Sequence, residues 1–208
     1  MDHGYWPVLT IWQYIQQTGD IEILLRVAPF FQDGLGMRGT QRNAIQADRS
    51  CTGTVAEHML LEQLTAFCEA GEHGLLRLRD ADWNDALDMA PQRGESGAFT
   101  SAYAGSMELL AKMLETLRQT GKCSSIDLPK RFEILLGEED NWASIASRRE
   151  KLNRFCAQCI QIPDDDRIQI PLDKIVRHLD LCADTLKAII RERAWIQTEQ
   201  DGWVNRHS

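Results

Sequence analysis

A short acidic segment carries the side chains best suited to chemistry: Asp80, Asp82, Trp83, Asn84, Asp85 and Asp88. Calcium is one ligand to consider, because Asp80, Asp82 and Asn84 match the first three ligand positions of an EF-hand loop. The match then fails, because Asp85 stands where that loop needs glycine and Pro91 stands where it needs a bidentate glutamate. The pattern therefore disfavours a calcium site.

A carbohydrate site is the second interpretation of this segment. The apolar face of Trp83 can stack on the C–H face of a sugar ring, and the neighbouring Asp and Asn side chains can bind its hydroxyl groups. A carboxylic acid with a raised pKa can also protonate a glycosidic oxygen as the bond breaks. The third interpretation is a solvated acidic loop in which Trp83 covers core residues and an aspartate caps the next helix. Composition alone leaves the second and third interpretations open.

Three motifs follow one another in this region: Gly71-Glu72-His73-Gly74-Leu75, Asp82-Trp83-Asn84-Asp85 and Gly94-Glu95-Ser96. Together they resemble the inverting glycoside phosphorylases of glycoside hydrolase family 94. That family includes cellobiose and chitobiose phosphorylases and the phosphorylase region of cyclic β-1,2-glucan synthases. Further similar motifs flank the three: Asp2-His3, Trp6-Pro7, Tyr14-Ile15, Thr18-Gly19-Asp20, Pro29-Phe30-Phe31, Thr54-Val55-Ala56-Glu57-His58 and Asp201-Gly202-Trp203.

The resemblance implies inverting phosphorolysis of a β-linked gluco-oligosaccharide, a glycosyl transfer to phosphate that releases sugar 1-phosphate. Asp85 would be the general acid, Trp83 and Asn84 would line the sugar subsite, and Asp2 would hydrogen-bond the same sugar. A neighbouring carboxylate at Asp82 would raise the pKa of Asp85 and help it to hold its proton. Because phosphate is the attacking group, no second carboxylate is needed to activate water. Inorganic phosphate is then a co-substrate, and no cofactor is expected.

Glu95 is a further candidate substrate-binding residue, from the Gly-Glu-Ser motif. In the family this motif is usually followed by valine and an aromatic residue, whereas here Gly97 and Ala98 precede Phe99. The family's N-terminal β-sandwich and much of its helical barrel have no counterpart in this chain. The resemblance therefore implies an incomplete (α/α)6 barrel, formed by a single helical domain over residues 1–208.

An incomplete barrel changes the functional expectation as well. The family's phosphate-binding residues come largely from the parts without a counterpart here, so the alternative is a non-catalytic helical module that binds sugar or a partner. Apolar helix faces that would normally meet missing helices favour self-association. The expected partners are an oligosaccharide and phosphate.

Composition supports a globular enzyme-sized domain and excludes other classes. The 208 residues are 43% hydrophobic and 26% charged, and the net charge is −8. An acidic chain disfavours general nucleic-acid binding and binding to anionic membranes, because both need a basic surface. No signal peptide or membrane-spanning apolar run is recognisable, and cysteine usage favours the cytoplasm.

The elements that must position these residues are helices, and the apolar spacing predicts an all-α fold with long functional loops. Helices are predicted over residues 7–17, 21–27, 54–70, 99–117, 126–136, 139–160 and 172–189. Thr18-Gly19-Asp20 is expected to break the first helix, and Asp20 to cap the second. Gly71 and Gly121 are expected to end the third and fourth, and Pro171 to begin the last. Residues 30–49 and 74–96 are expected to be loops. Arg38 and Arg42, near three glycines in the first loop, could contact phosphate.

Several other residues are predicted to be structural. His58 on its helix face is expected to pack or hydrogen-bond rather than to bind a metal. Cys156 and Cys159 share a helix face and are expected to be a reduced, half-buried pair. A basic helix face is expected to pair with glutamates: Arg148, Arg149, Lys151 and Arg154.

Overall fold

The computed structural model describes residues 4–30, 52–78, 93–161, 166–197 and 202–204. Within these ranges the chain is mostly helical, which confirms the predicted all-α class. The α-helices are α1 (Tyr5–Thr18), α2 (Val55–Cys68), α3 (Gly97–Gln119), α4 (Phe132–Leu135), α5 (Ile145–Gln161) and α6 (Leu172–Ile189). A 3₁₀ helix spans Ile21–Leu25 and a π-helical turn spans Ile190–Ala194.

The strands of the described ranges are short and form four antiparallel ribbons. β1 (Val27–Pro29) pairs with β2 (Thr52–Thr54), and β3 (Leu76–Arg77) pairs with β4 (Glu95–Ser96). β5 (Ser125–Pro129) pairs with β6 (Arg167–Pro171), and β7 (Trp195–Gln197) pairs with β8 (Gly202–Val204). Each ribbon therefore brings together the two ends of the chain segment between its strands.

The core is organised around α3, which packs along α6 and also contacts α1 and α2. Met107, Leu110 and Leu114 have no exposed surface. Their spacing of three and four residues puts them on one face of α3, as the apolar pattern predicts. Burying each such side chain is worth about 1.5–3 kcal/mol. The buried face therefore anchors α3 in the core, and α3 supports the strand β4 that directly precedes it.

Helix ends follow the predicted turn residues at several positions. α1 ends directly before Gly19, and α3 ends two residues before Gly121. Both glycines have a φ of 71°, a conformation that suits residues without a side chain. α6 begins directly after Pro171, as expected. α2 ends at Cys68, two residues earlier than the predicted boundary.

One predicted helix is wrong. Residues 125–129 form β5 instead, and only Phe132–Leu135 is helical within the predicted range 126–136. In β5 the buried side chains of Ile126 and Leu128 alternate with the exposed Asp127. This alternation has the period of a strand, and the partner strand supplies the hydrogen bonds that a local pattern does not reveal.

Two other boundaries differ from the prediction. α5 begins at Ile145 rather than near residue 139, because residues 139–144 form turns and Asn141 has a positive φ of 60°. The second predicted helix is a shorter 3₁₀ helix, and Asp20 does not cap it. The Asp20 carboxylate instead accepts hydrogen bonds from the Tyr14 hydroxyl at 3.0 Å and from the Arg26 guanidinium at 2.7 Å.

Among the described helices, none combines the length and apolar character needed to cross a membrane. The described residues also contain no cluster of three or more His, Cys, Asp or Glu side chains able to hold a metal ion.

Candidate functional site

Most of the predicted site residues lie outside the described ranges. These are Asp2, Asp82, Trp83, Asn84 and Asp85, together with the loop residues Arg38 and Arg42. Glu95 is described, and so are the chain segments that enter and leave residues 79–92. The structure therefore defines the base on which the Asp-Trp-Asn-Asp segment stands.

The base of this segment is the β3–β4 ribbon. Arg77 lies opposite Glu95 and Leu76 lies opposite Ser96 in the antiparallel register. Beyond the ribbon, the Leu78 amide donates a hydrogen bond to the Gly94 carbonyl at 2.9 Å. The two ends of the segment are thus held side by side.

Glu95, the first residue of β4 in this ribbon, is buried, with only 4% of its surface exposed. Its Oε1 accepts hydrogen bonds from the His73 amide and lies 3.0 Å from His73 Nδ1. Its Oε2 accepts a hydrogen bond from the Leu75 amide at 3.0 Å. Both carboxylate oxygens are therefore engaged with the turn at residues 71–75, and contact of Glu95 with substrate stays a prediction.

The two glycines of the turn are required for different reasons. A Cβ added at Gly71 would lie 2.0 Å from Cδ of Glu95, so a side chain there would collide with the carboxylate. Gly74 has a φ of +85°, which residues with side chains rarely adopt. The Gly71 amide closes the turn with a 2.8 Å hydrogen bond to the Leu75 carbonyl. The Gly-Glu-His-Gly-Leu motif is thus a turn shaped to receive Glu95.

The start of α3 is joined to the same base. The Ser96 hydroxyl caps α3 by accepting a 3.1 Å hydrogen bond from the Phe99 amide. The buried Thr100 hydroxyl donates to the Ser96 carbonyl at 2.6 Å and accepts from the Leu76 amide at 3.0 Å. The ribbon is therefore fixed to the helix that forms the centre of the core.

Three basic side chains of α5 donate to main-chain carbonyls, two of them at the end of α2, next to this base. Nε of Arg148 donates to the Phe67 carbonyl at 2.7 Å, and Nε of Arg149 donates to the Ala70 carbonyl at 2.8 Å. Lys151 donates to the Gly137 carbonyl. The prediction that this face pairs with glutamates is wrong for these three residues. Arg148 and Arg149 bind carbonyls at the end of α2, where main-chain acceptors are left unpaired and carry partial negative charge.

Arg148 is the residue that sequence reasoning misread most. It is fully buried, its guanidinium lies 4.4 Å from the centre of the Phe67 ring, and its Nη1 donates to the Gly74 carbonyl at 2.8 Å. Burial lowers its pKa from the ordinary 12.5 to about 10, so it remains a cation at neutral pH. A signal was present in the sequence, since Arg148 shares an apolar helix stripe with Ile145, Leu152 and Phe155.

A cavity of about 280 Å³ opens beside this base, between the end of α2, the turn and α5. Its wall carries charges of both signs. Nη1 of Arg77 lies 3.5 Å from Oε1 of Glu69, and Nη2 of Arg93 lies 2.5 Å from Oε2 of Glu72. The hydrogen bond from Arg93 lowers the pKa of Glu72. Arg77 and Arg93 flank residues 79–92, so the cavity borders the points where that segment begins and ends.

The chain is also anchored at Gly4, two residues after Asp2. The carbonyl of Gly4 accepts a 2.8 Å hydrogen bond from the buried Gln63, whose Oε1 in turn accepts one from the Ser106 hydroxyl at 2.5 Å. A Cβ at Gly4 would lie 2.8 Å from the hydroxyl oxygen of Tyr103. The N-terminal end of α1 is therefore fixed against α2 and α3.

The structural interpretation of His58 is confirmed. Its ring stacks on Phe30 with centroids 3.8 Å apart, and its Nε2 lies 3.2 Å from the Ala28 carbonyl oxygen. Cys156 is half-buried and is not in a disulfide, whereas the side chain of Cys159 lies outside the described part. The predicted pairing of Cys156 with Cys159 on one helix face therefore stays a prediction.

Comparison with known proteins places these features in a family. Residues 1–123 match the sequence model of the Glycosyl hydrolase 94 superfamily, catalytic domain. The chain is 28% identical over 132 residues to the 3-O-beta-D-glucopyranosyl-beta-D-glucuronide phosphorylase of Paenibacillus borealis. It is 31% identical over 87 residues to the solabiose phosphorylase of Paenibacillus borealis.

These alignments cover 62% and 42% of the chain, respectively. They cover only 15% and 9% of the two relatives. The chain therefore spans a small fraction of the length of the curated relatives that it matches.

Proposed function

Because the chain belongs to the Glycosyl hydrolase 94 superfamily, we propose that it supplies the general-acid segment of an inverting glycoside phosphorylase. The proposed reaction cleaves a β-linked gluco-oligosaccharide with inorganic phosphate and releases sugar 1-phosphate. The two relatives are themselves phosphorylases, which supports this reaction type. The whole-protein activity is part of the proposal, because the chain spans so little of their length.

In the proposed mechanism Asp85 donates its proton to the glycosidic oxygen. The bond between that oxygen and the anomeric carbon breaks, while a phosphate oxygen attacks the same carbon from the opposite face of the ring. The electron pair of the broken bond stays on the leaving oxygen, which the proton neutralises. A single displacement of this kind inverts a β-linkage to an α-sugar 1-phosphate.

The other predicted residues take supporting roles in this proposal. Trp83 stacks on the sugar, and Asn84 and Asp2 hydrogen-bond its hydroxyl groups. Asp82, close in sequence to Asp85, raises the pKa of the acid by like-charge repulsion. No cofactor is required, since the reaction moves one proton and one glycosyl group.

The observation that carries the proposal is the geometry of the base. Residues 79–92, which hold the Asp-Trp-Asn-Asp motif, start and finish at a ribbon closed by the Leu78–Gly94 hydrogen bond. That ribbon is joined to the capped first turn of α3 through Thr100 and Ser96. A general acid needs such support, because proton transfer depends on placing the carboxyl within hydrogen-bond distance of the leaving oxygen.

The test is phosphorolysis itself, measured as sugar 1-phosphate formed from phosphate and a panel of glycosides. The panel contains cellobiose, chitobiose, a β-1,2-glucan, solabiose and 3-O-β-D-glucopyranosyl-β-D-glucuronide. The assay uses the 208-residue chain and, where these residues form part of a longer polypeptide, that polypeptide. Asp85→Asn should abolish product while leaving the circular dichroism spectrum unchanged. Activity retained by Asp85→Asn would remove Asp85 from the acid role.

Asp88→Asn is the matched control, because it removes a carboxylate from the same acidic segment outside the tetrapeptide. We expect it to retain most of the activity. If no member of the panel yields sugar 1-phosphate, the non-catalytic sugar-binding alternative gains support. In that case Trp83→Phe should weaken sugar binding measured by calorimetry.

Self-association is a further part of the proposal. Large apolar side chains exposed in the described part are Trp6, Tyr14 and Val27. All three lie near the N-terminal end of the chain, on α1 or at β1. Light scattering on the 208-residue chain tests this prediction directly, and a monomer at all concentrations would contradict it.

A further inference from the structure

One peptide group lies between a buried cation and a buried anion. The carbonyl oxygen of Gly74 accepts a hydrogen bond from Nη1 of Arg148 at 2.8 Å. The amide of Leu75, at the other end of the same peptide bond, donates to Oε2 of Glu95 at 3.0 Å. The two charged side chains therefore meet through the Gly74–Leu75 peptide.

Both charged side chains that contact this peptide are buried. Arg148 has no exposed surface and Glu95 has 4%. A charge buried alone is strongly unfavourable, and each of these charges is stabilised by the end of the peptide dipole that carries the opposite sign. Hydrogen bonds to charged groups are also stronger than those between neutral groups. Removing one charge leaves the other with its main-chain partners but without the opposite charge across the shared peptide.

The position of the peptide links this pair to the candidate catalytic segment. Leu75 directly precedes β3, and Glu95 is the first residue of β4, so the pair fixes both strands of the base. Arg148 comes from α5, which lies beyond residues 1–123 that match the family model. Its Nε also holds the Phe67 carbonyl at the end of α2. A helix outside the matched region thus reaches the base of the segment.

We propose that Arg148 and Glu95 are a coupled pair of positioning residues that fix the β3–β4 base, where residues 79–92 begin and end, by holding the Gly74–Leu75 peptide from both ends. The catalytic consequence of this role rests on the function proposed above. In this role the pair acts through the main chain rather than through contact with the substrate. Its role is to hold the two points of the chain between which the segment carrying Asp85 lies.

A spectroscopic test follows the environment of Trp83 in the 208-residue chain labelled with 5-fluorotryptophan. The fluorine resonances of Trp83 and Trp12 are assigned with Trp83→Phe and Trp12→Phe. Arg148→Met and Glu95→Gln remove one charge each with little change in shape, and the double variant removes both. Arg177→Met and Glu115→Gln are matched controls, because Arg177 pairs with Glu138 and Glu115 pairs with Arg118 on α3.

We expect both single variants to shift the Trp83 resonance, and the double variant to shift it no further than the larger single effect. The two controls should leave the Trp83 resonance at its native position. Arg148→Lys keeps the positive charge and should shift the resonance less than Arg148→Met does. The Trp12 resonance reports the remote α1 and should stay at its native position in every folded variant. Should Arg148→Met fail to fold, Glu95→Gln decides the proposal, because it still removes one charge of the pair.

An unshifted Trp83 resonance in folded Arg148→Met or in folded Glu95→Gln would overturn the proposal. Strictly additive shifts in the double variant would also overturn the coupling. In the phosphorolysis assay, the same variants should lower kcat at least about tenfold with KM changed less than about twofold, because alignment of the acid is lost while binding contacts remain. If the unsubstituted protein shows no phosphorolysis, the proposed function fails, whereas the fluorine shifts still decide the positioning role.

Discussion

Gly71 and Glu95 share one small volume: a Cβ placed on Gly71 would lie 2.0 Å from Cδ and 2.2 Å from Cγ of Glu95. Because the carboxylate is held by the His73 and Leu75 amides, it cannot move aside without losing those hydrogen bonds. We therefore expect Gly71→Ala to lower the free energy of unfolding by about 1–3 kcal/mol, as other overpacked sites do. Urea denaturation followed by circular dichroism measures the loss.

Gly105→Ala is the matched control for that substitution. Gly105 lies within α3, and a Cβ there would meet nothing within 4 Å. Because alanine is a better helix former than glycine, this variant should be about 0.5–1 kcal/mol more stable than the unsubstituted chain. The same chemical change is thus expected to have opposite signs at the two positions. Equal effects would contradict the steric assignment of Gly71.

Gln63 links the N-terminal end of α1 to α3. Gln63→Leu should leave the Gly4 carbonyl and the Ser106 hydroxyl buried without their partner, at a cost of about 1–3 kcal/mol for each group. Ser106→Ala alone should cost less. Because the two side chains share one hydrogen bond, the double variant should lose less stability than the two single losses combined. Additive losses in urea denaturation would show that the network is not coupled.

His178 gives the fold a predictable dependence on pH. Burial lowers its pKa below the ordinary 6.5, against the raising effect of its hydrogen bond to Glu138, while the nearby Lys151 lowers it further. The unfolded chain therefore takes up this proton first, and stability should fall as the pH drops below about 6.5. His178→Gln should lose this dependence between about pH 7.5 and about pH 5. Proton NMR of the imidazole measures the pKa directly, and a value above 6.5 would contradict the prediction.

Glu138 acts in a separate, more acidic range. Burial alone would raise its pKa, but hydrogen bonds from His178 and Arg177 outweigh burial and lower it below 4.5. A lowered carboxyl pKa contributes stability above 4.5 that is lost as the pH falls further. Glu138→Gln should therefore flatten the stability profile below about pH 4.5, whereas His178→Gln should act mainly above it. Urea denaturation across this range separates the two contributions.

Buried thiols should differ sharply in reactivity from partly exposed ones. Burial raises the pKa of Cys68 to about 11 and also raises that of Cys182, so neither forms the nucleophilic thiolate at neutral pH. Cys123 and Cys156 are half-buried and should react at least about tenfold faster with a disulfide reagent. Mass spectrometry of the labelled native protein identifies each site. Rapid labelling of Cys68 or Cys182 would contradict their burial.

Local signals in the sequence determined the helical class, the caps at Gly19, Gly121 and Pro171, and the buried face of α3. Those features depend on residues three or four apart, whose spacing is visible without any structure. The strand at residues 125–129 escaped this reasoning, because its hydrogen-bond partner is the distant Arg167–Pro171. An isolated alternation of two apolar residues is too weak a signal to outweigh helix-like neighbours.

For the candidate site, too, the sequence determined some features and only the tertiary structure decided others. The sequence alone singled out Asp82, Trp83, Asn84, Asp85, Asp2 and Glu95 and predicted the family, which the match over residues 1–123 supports. Only the tertiary structure decided what Glu95 and Arg148 do. Arg148 lies 74 residues from Gly74 along the chain, and no spacing rule connects positions so far apart. The physical reason is burial: a charge inside the fold must find an oppositely polarised group, and chain packing alone determines which group that is.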